Sequence, residues 1–298
     1  PKGWSGTEGP VVVVPPAPQE VGATAWHTAY LREEFAAARC TCQALAPACS
    51  KEMDFQDLSA ISIEASMQSV CEYLACIQEK DPNCREENAL AFPRVQVECW
   101  QPFVAAPHLF QDGWASLQLP SWDDLTPSLC KLASDFLESE PWEEIMSRLF
   151  QLTLCPAGAV TRLHVANHRA HMYFTQVEGK RSFYLFPPSE RHKLYAREEA
   201  DAPLPDAAVL VSDVDIFAAK HSSCPKFAGT CCQVAYLSAG STLVLPAGWF
   251  WCAAATSTSV TLQRPFWDSL TAPGFVDYLW APYVAAGVPS QAREEVRE

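Results

Sequence analysis

The chain has 298 residues, with 21 Lys and Arg against 35 Asp and Glu, for a formal net charge of −14 at pH 7. That balance argues against a general nucleic-acid binder, which needs clustered cations to displace counterions from phosphates, and against docking by charge on anionic lipid. Hydrophobic residues make up 49% and charged residues 19%, a globular composition in a chain long enough to bury a core without staples.

No apolar run approaches the ~18 residues of a membrane span. The chain begins at Pro1 rather than Met. The expectation is an intracellular protein of unassigned compartment, or an organellar one if a leader before Pro1 is removed. Residues 1–23 read as an extended N-terminal arm, with Val11 to Val14 bounded by Pro10, Pro15, Pro16 and Pro18. Residues 24–150 read as a helical lead-in. Trp26 to Arg39 has Trp26, Tyr30, Leu31 and Phe35 near one helical face. Ile63 to Lys80 places Met67, Val70, Cys71, Leu74 and Ile77 at helical spacing. Ala89 to Leu119 is rich in Pro and aromatics and reads as irregular connections. Pro127 to Phe136 reads as a further helix.

From about residue 151 the pattern changes to short β-rich runs broken by Gly and Pro. They are Val160–Val165, Met172–Val177, Ser182–Phe186, Val209–Val211, Gln233–Leu237, Ser241–Leu245 and Ser257–Phe266. Such runs predict a sandwich or barrel over 151–267. Residues 268–298 return to a helical tail. The fold class expected is therefore mainly β with flanking helices.

The thirteen cysteines include no Cys-x-x-Cys pair, so neither a zinc ribbon nor a thioredoxin motif is supported. They are expected mainly as reduced, small apolar core residues, Cys231 and Cys232 included. An oxidised framework would involve chiefly Cys71, Cys76 and Cys84. Ser212 or Asp213 is expected to cap a helix after Val211. Glu138, Glu140, Glu143 and Glu144 read as a solvated acidic stretch.

Three stretches carry the candidate chemistry. They are Gly158 to Ala166 with His164, Gln176 to Pro188 with Gly179 and Arg181, and Leu237 to Trp251 with Gly240, Pro246, Gly248 and Trp249. In this order they resemble the JmjC-type cupins, the Fe(II)/2-oxoglutarate oxygenases, over roughly residues 24–285. The Gln-x-x-Gly opening and Leu-Phe-Pro-Pro close of the second stretch resemble the small protein-hydroxylase branch, although His164 and Gly179 lie slightly far apart for it. The resemblance implies a double-stranded β-helix, or jelly-roll, core.

The family's iron sits in a facial triad of His-x-Asp/Glu and a distal His. Carried onto this chain, those positions are His164, Ala166 and Trp251. A methyl group cannot coordinate, and a neutral indole offers only an N–H donor. No histidine follows His221, and no Asp or Glu lies between His164 and Glu178. The triad is thus degenerate, and neither a catalytic residue nor a metal is expected. Trp251 is expected to fill the former metal cavity. A site rebuilt from His164, His168, His171 and Cys252 would suit zinc, but needs a helix where the pattern reads as strand and turn. The resemblance also places Thr161 and Arg181 at the cosubstrate pocket, as its vestige; Arg181 read alone is an ordinary strand-end cation.

The expected function is that of a catalytically inactive JmjC-like cupin, a structural or interaction subunit of a larger assembly. Its partners would be neutral or basic proteins, or a second copy joined through the C-terminal tail. The alternative is an active Fe(II)- and 2-oxoglutarate-dependent protein or RNA hydroxylase or demethylase, using His164 with unconventional ligands. A third reading is a dicarboxylate sensor that keeps Thr161 and Arg181.

Overall fold

The computed structural model describes residues 9–13, 26–44, 62–79, 95–113, 123–137, 141–165, 169–198, 210–217 and 223–285. Two antiparallel sheets form its body. The larger follows the order β1 (Val11–Val13), β12 (Thr242–Leu245), β7 (His171–Glu178), β14 (Ser259–Phe266), β5 (Gln151–Cys155), β4 (Val95–Trp100), β2 (Arg39–Ala44) and β3 (Ser62–Ser66). The smaller follows β11 (Gln233–Ser238), β8 (Lys180–Phe186), β13 (Phe250–Ala255), β6 (Val160–Val165), β10 (Leu210–Val211) and β9 (Arg197–Glu198). Strands distant in sequence alternate between neighbours in this jelly-roll arrangement, so the chain is mainly β, as expected.

The lead-in is helical only in part. The helices are α1 (Thr28–Glu34), α2 (Met67–Glu79), two short turns at Pro102–Ala105 and His108–Gly113, α3 (Thr126–Leu137) and α4 (Trp142–Ser147). Between them, β2, β3 and β4 extend the larger sheet beyond β5. The segment read as irregular contains β4, and Ile63 lies in β3, ahead of the helix that begins at Met67. Part of the arm is also strand, since Val11 to Val13 pair antiparallel with Thr242 to Val244.

Two main cores among the described residues hold these layers. One lies between the helices and the outer face of the larger sheet, with Trp26, Phe103, Phe110 and Phe150 in edge-to-face contacts 5.2–5.3 Å apart and Phe35 tilted against Trp26 at 5.8 Å. The other lies between the sheets. It joins Met172, Phe174, Leu243 and Leu245 of the larger sheet to Phe183, Leu185, Ala235, Leu237, Trp251 and Ala253 of the smaller. The alternation of a strand explains β13, where Trp251 and Ala253 enter this inner core while Phe250 and Cys252 join an outer cluster with Leu163 and Val165.

Gly179 links β7 to β8 at φ +73°, and a Cβ there would lie 1.9 Å from the Thr258 carbonyl oxygen. Only glycine closes that hairpin. Glu178, beside it, accepts hydrogen bonds from the Thr28 amide at 2.7 Å and the Thr28 hydroxyl at 3.2 Å. The hairpin therefore supplies the acceptor for the start of α1.

The C-terminal helix α5 (Pro273–Ala285) returns to the body through Phe275 and Tyr278, whose rings meet Trp267 at 5.0 and 5.7 Å. His171 holds the same corner. It pairs with Asp268 at 3.2 Å through Nε2 and accepts from the Ala247 amide at 3.0 Å through Nδ1. Arg264, 5% exposed, pairs with Asp124 and lies over the rings of Tyr173 and Phe150.

Among the described residues six cysteines lie in buried positions, namely Cys40, Cys42, Cys71, Cys130, Cys155 and Cys252. Cys231 and Cys232 are instead exposed. They join the turn Pro225–Gly229 to β11, at an edge of the smaller sheet where no further layer among the described residues covers them. Cys76 is disulfide-bonded, Cys71 is free, and Cys84 lies outside the described residues. No helix follows Val211 directly. Ser212 accepts from the Val214 amide, and Asp213 pairs with Arg162 at 2.5 Å and Arg197 at 3.1 Å.

Candidate functional site

Four residues singled out in the three motifs, Thr161, His164, Arg181 and Trp251, line one cavity of about 80 Å³ between the sheets. In a regular strand Thr161 and His164, three residues apart, would face opposite sides. The β6–β13 register slips by one residue between the pairs His164↔Trp251 and Thr161↔Ala253. The extra β6 residue turns both side chains inward, as bulges beside functional sites often do. Arg181 follows Gly179 by two residues, and the closed hairpin directs it to the same place. Ala166 and His168 lie outside the described residues.

Trp251 is 4% exposed and sits directly opposite His164. Their ring centroids are 4.2 Å apart, and Phe174 closes on the indole at 4.7 Å. Burying an indole removes about 150–250 Å² from water, on the order of 4–6 kcal/mol of favourable transfer. The Trp251 Nε1 is buried with no hydrogen-bond partner among the described residues. His164 Nδ1 meets the Arg162 carbonyl at 2.6 Å, so it carries the proton and donates. Burial depresses the His164 pKa to about 4, the Arg162 carbonyl opposes that fall, and the charge of Arg162 adds to it.

Arg181 is 1% exposed. Its Nη2 donates to the Thr161 hydroxyl at 2.5 Å, and that hydroxyl donates to Glu98 Oε1 at 3.0 Å. The Gln96 side-chain amide donates to the same Glu98 oxygen at 3.0 Å. Burial raises the Glu98 carboxyl above its ordinary range, against the opposing field of Arg181 and the hydrogen bond from Thr161. Glu98 comes from β4, 63 residues before Thr161, and sequence reasoning did not find it. The only trace was its alternation with Gln96 in a strand that had been read as irregular.

These side chains do not fit an Fe(II)/2-oxoglutarate centre. His164 offers one imidazole lone pair, on Nε2. The indole opposite it has none to give, and the alanine at 166 has no donor. Among the described residues, no group of three His, Cys, Asp or Glu side chains could hold a metal ion. The described members of the rebuilt zinc set are not brought together either. His171 is engaged with Asp268 and Ala247, and Cys252 points into the cluster on the other side of β13.

No curated protein matches the chain. A family model described as a cupin-like domain matches residues 6–271, a span that holds both sheets and, apart from Tyr278, the lining of the cavity between them. The chain belongs to the cupin-like domain family.

Proposed function

We propose that this chain is a non-catalytic cupin-like protein, working as a structural or interaction subunit of a larger assembly. The observation that carries the reading is the contact of Trp251 with His164, which puts an apolar ring where an oxygenase of the fold needs a ligand. The missing donor at Ala166 and the internal engagement of Arg181 support it. A fold can outlive its chemistry, because packing and catalysis rest on different residues.

The surface supplies contact material. Tyr236 and Val234, 75% and 42% exposed, stand on the uncharged edge strand β11, and Leu270 is 69% exposed near the start of α5. An uncovered apolar edge favours partners. With a net charge of −14, those partners are neutral or basic proteins, or a second copy joined through the C-terminal tail. The compartment proposed is intracellular.

The test is thermal denaturation of the full chain with Mn(II) and 2-oxoglutarate, separately and together. The reading predicts no joint stabilisation beyond the separate effects. A metal-dependent rise in Tm on adding 2-oxoglutarate would contradict it.

A further inference from the structure

We propose that Glu98 is a built-in carboxylate that occupies the anion position of the Arg181–Thr161 pair, so that the chain supplies internally the acid such a pair would otherwise take from solution. The proposal rests on the non-catalytic reading, since a pocket satisfied from within has no vacancy for a cosubstrate.

Arg181 provides the requirement. Its guanidinium is 1% exposed, and a buried cation needs a negative partner nearby. Thr161 provides the connection. Its single hydroxyl proton goes to Glu98 Oε1, and its oxygen accepts from Arg181, which makes the hydroxyl a relay between cation and carboxylate. Gln96 steadies the same carboxylate oxygen from the side.

The backbone of β4 is shaped for this delivery. Its pairing with β5 slips by one residue between Val97↔Leu154 and Trp100↔Leu152. Within that bulge Cys99 holds φ +55°, a left-handed conformation uncommon outside glycine. A bulge of this kind re-aims the side chain beside it, here Glu98. The local backbone cost persists because the surrounding contacts require it.

The cavity provides the means of testing. Glu98, Thr161, Arg181 and Trp251 all line it, and both Arg181 Nε and Trp251 Nε1 are buried without partners among the described residues. At about 80 Å³ it has room for water beside the carboxylate. Glu98→Ala deletes two carbons and two oxygens, the heavy atoms of acetate. Acetate is therefore the probe that should replace the missing group.

The experiment uses the full chain, free of metal and of 2-oxoglutarate. Glu98→Ala is melted in sodium chloride and in sodium acetate at matched ionic strength. The expected result is a Tm below wild type that rises saturably with acetate. At acetate ten times its Kd the rise should be about 2–4 °C, and wild type should not show it. Adding Thr161→Val to Glu98→Ala should weaken the rescue, because the relay is lost. Glu98→Gln keeps the volume and removes the charge, so it should lower Tm and resist rescue. If Glu98→Ala does not fold in chloride, refolding yield in acetate against chloride replaces the melt, and a higher yield in acetate is expected. Equal acetate effects on wild type and Glu98→Ala, rescue of Glu98→Gln, or no acetate effect in either assay would overturn the proposal. None of these measurements involves turnover. Failed rescue therefore removes Glu98's role alone, whereas 2-oxoglutarate turnover by wild type removes the non-catalytic reading.

Discussion

His164 and Trp251 face each other across the β6–β13 pair, their rings 4.2 Å apart and tilted by 55°. The pairing converts what could have been a polar centre into part of the inter-sheet core. Phe174 and Phe183 complete the surroundings of the indole. The cavity that remains is small, and its charged groups belong to the Arg181–Thr161–Glu98 chain.

Trp251 should therefore behave as a core residue. Trp251→Ala is expected to destabilise the fold by about 3–5 kcal/mol, measured as a drop in the urea midpoint with an unchanged slope. Trp251→Phe keeps most of the apolar contact and should cost less than half as much. Stability unaltered by Trp251→Ala would contradict burial of this ring.

His164 makes a pH prediction. Its folded pKa is about 4 against an ordinary 6.5, so the unfolded chain takes up a proton more readily. Its contribution is complete above pH 6.5 and is lost as pH falls from there towards 4. A depression of that size corresponds to roughly 3 kcal/mol, with each pH interval contributing about 1.4. His171, depressed by burial against the opposing charge of Asp268, slopes the same way. Glu98, held above its ordinary range, slopes the other way. The check is therefore a difference: denaturation of wild type and His164→Asn at pH 7 and pH 4.5. Wild type should lose more stability on acidification than the variant. Equal losses would contradict the assignment.

Gly179 should tolerate no side chain. Gly179→Ala combines a φ of +73° with a Cβ 1.9 Å from the Thr258 oxygen, so either the hairpin or the loop holding Thr258 must move. A loss of at least about 3 kcal/mol is expected, read from the denaturant midpoint or from failure to accumulate folded protein.

Much of this was legible in the sequence. Val160–Val165 was delimited as the structure has it, and the remaining runs read as strands fell within a residue or two of observed ones. Three barrel strands escaped, one of them the two-residue Arg197–Glu198. Gln151–Cys155 precedes the first Gly-Pro punctuation, and Phe250–Ala255 was read as the end of a motif. The lead-in strands were hidden for another reason. β3 runs directly into α2 at Ser66–Met67, and the Pro-rich surroundings of β4 masked its alternation. The family resemblance grouped Thr161, His164, Arg181 and Trp251, and the structure places all four on one cavity. It could not supply Glu98, because a side-chain contact between strands of opposite sheets, 63 residues apart, is a property of the fold and leaves no local pattern. Exposure of Cys231 and Cys232 was equally invisible, since it depends on β11 lying at an edge.

The most direct test of the central claim is succinate formation by the full chain, reconstituted with Fe(II), ascorbate, oxygen and 2-oxoglutarate. Wild type and His164→Ala should both give succinate at the rate of the protein-free control. Succinate above that background from wild type, abolished by His164→Ala, would contradict the account.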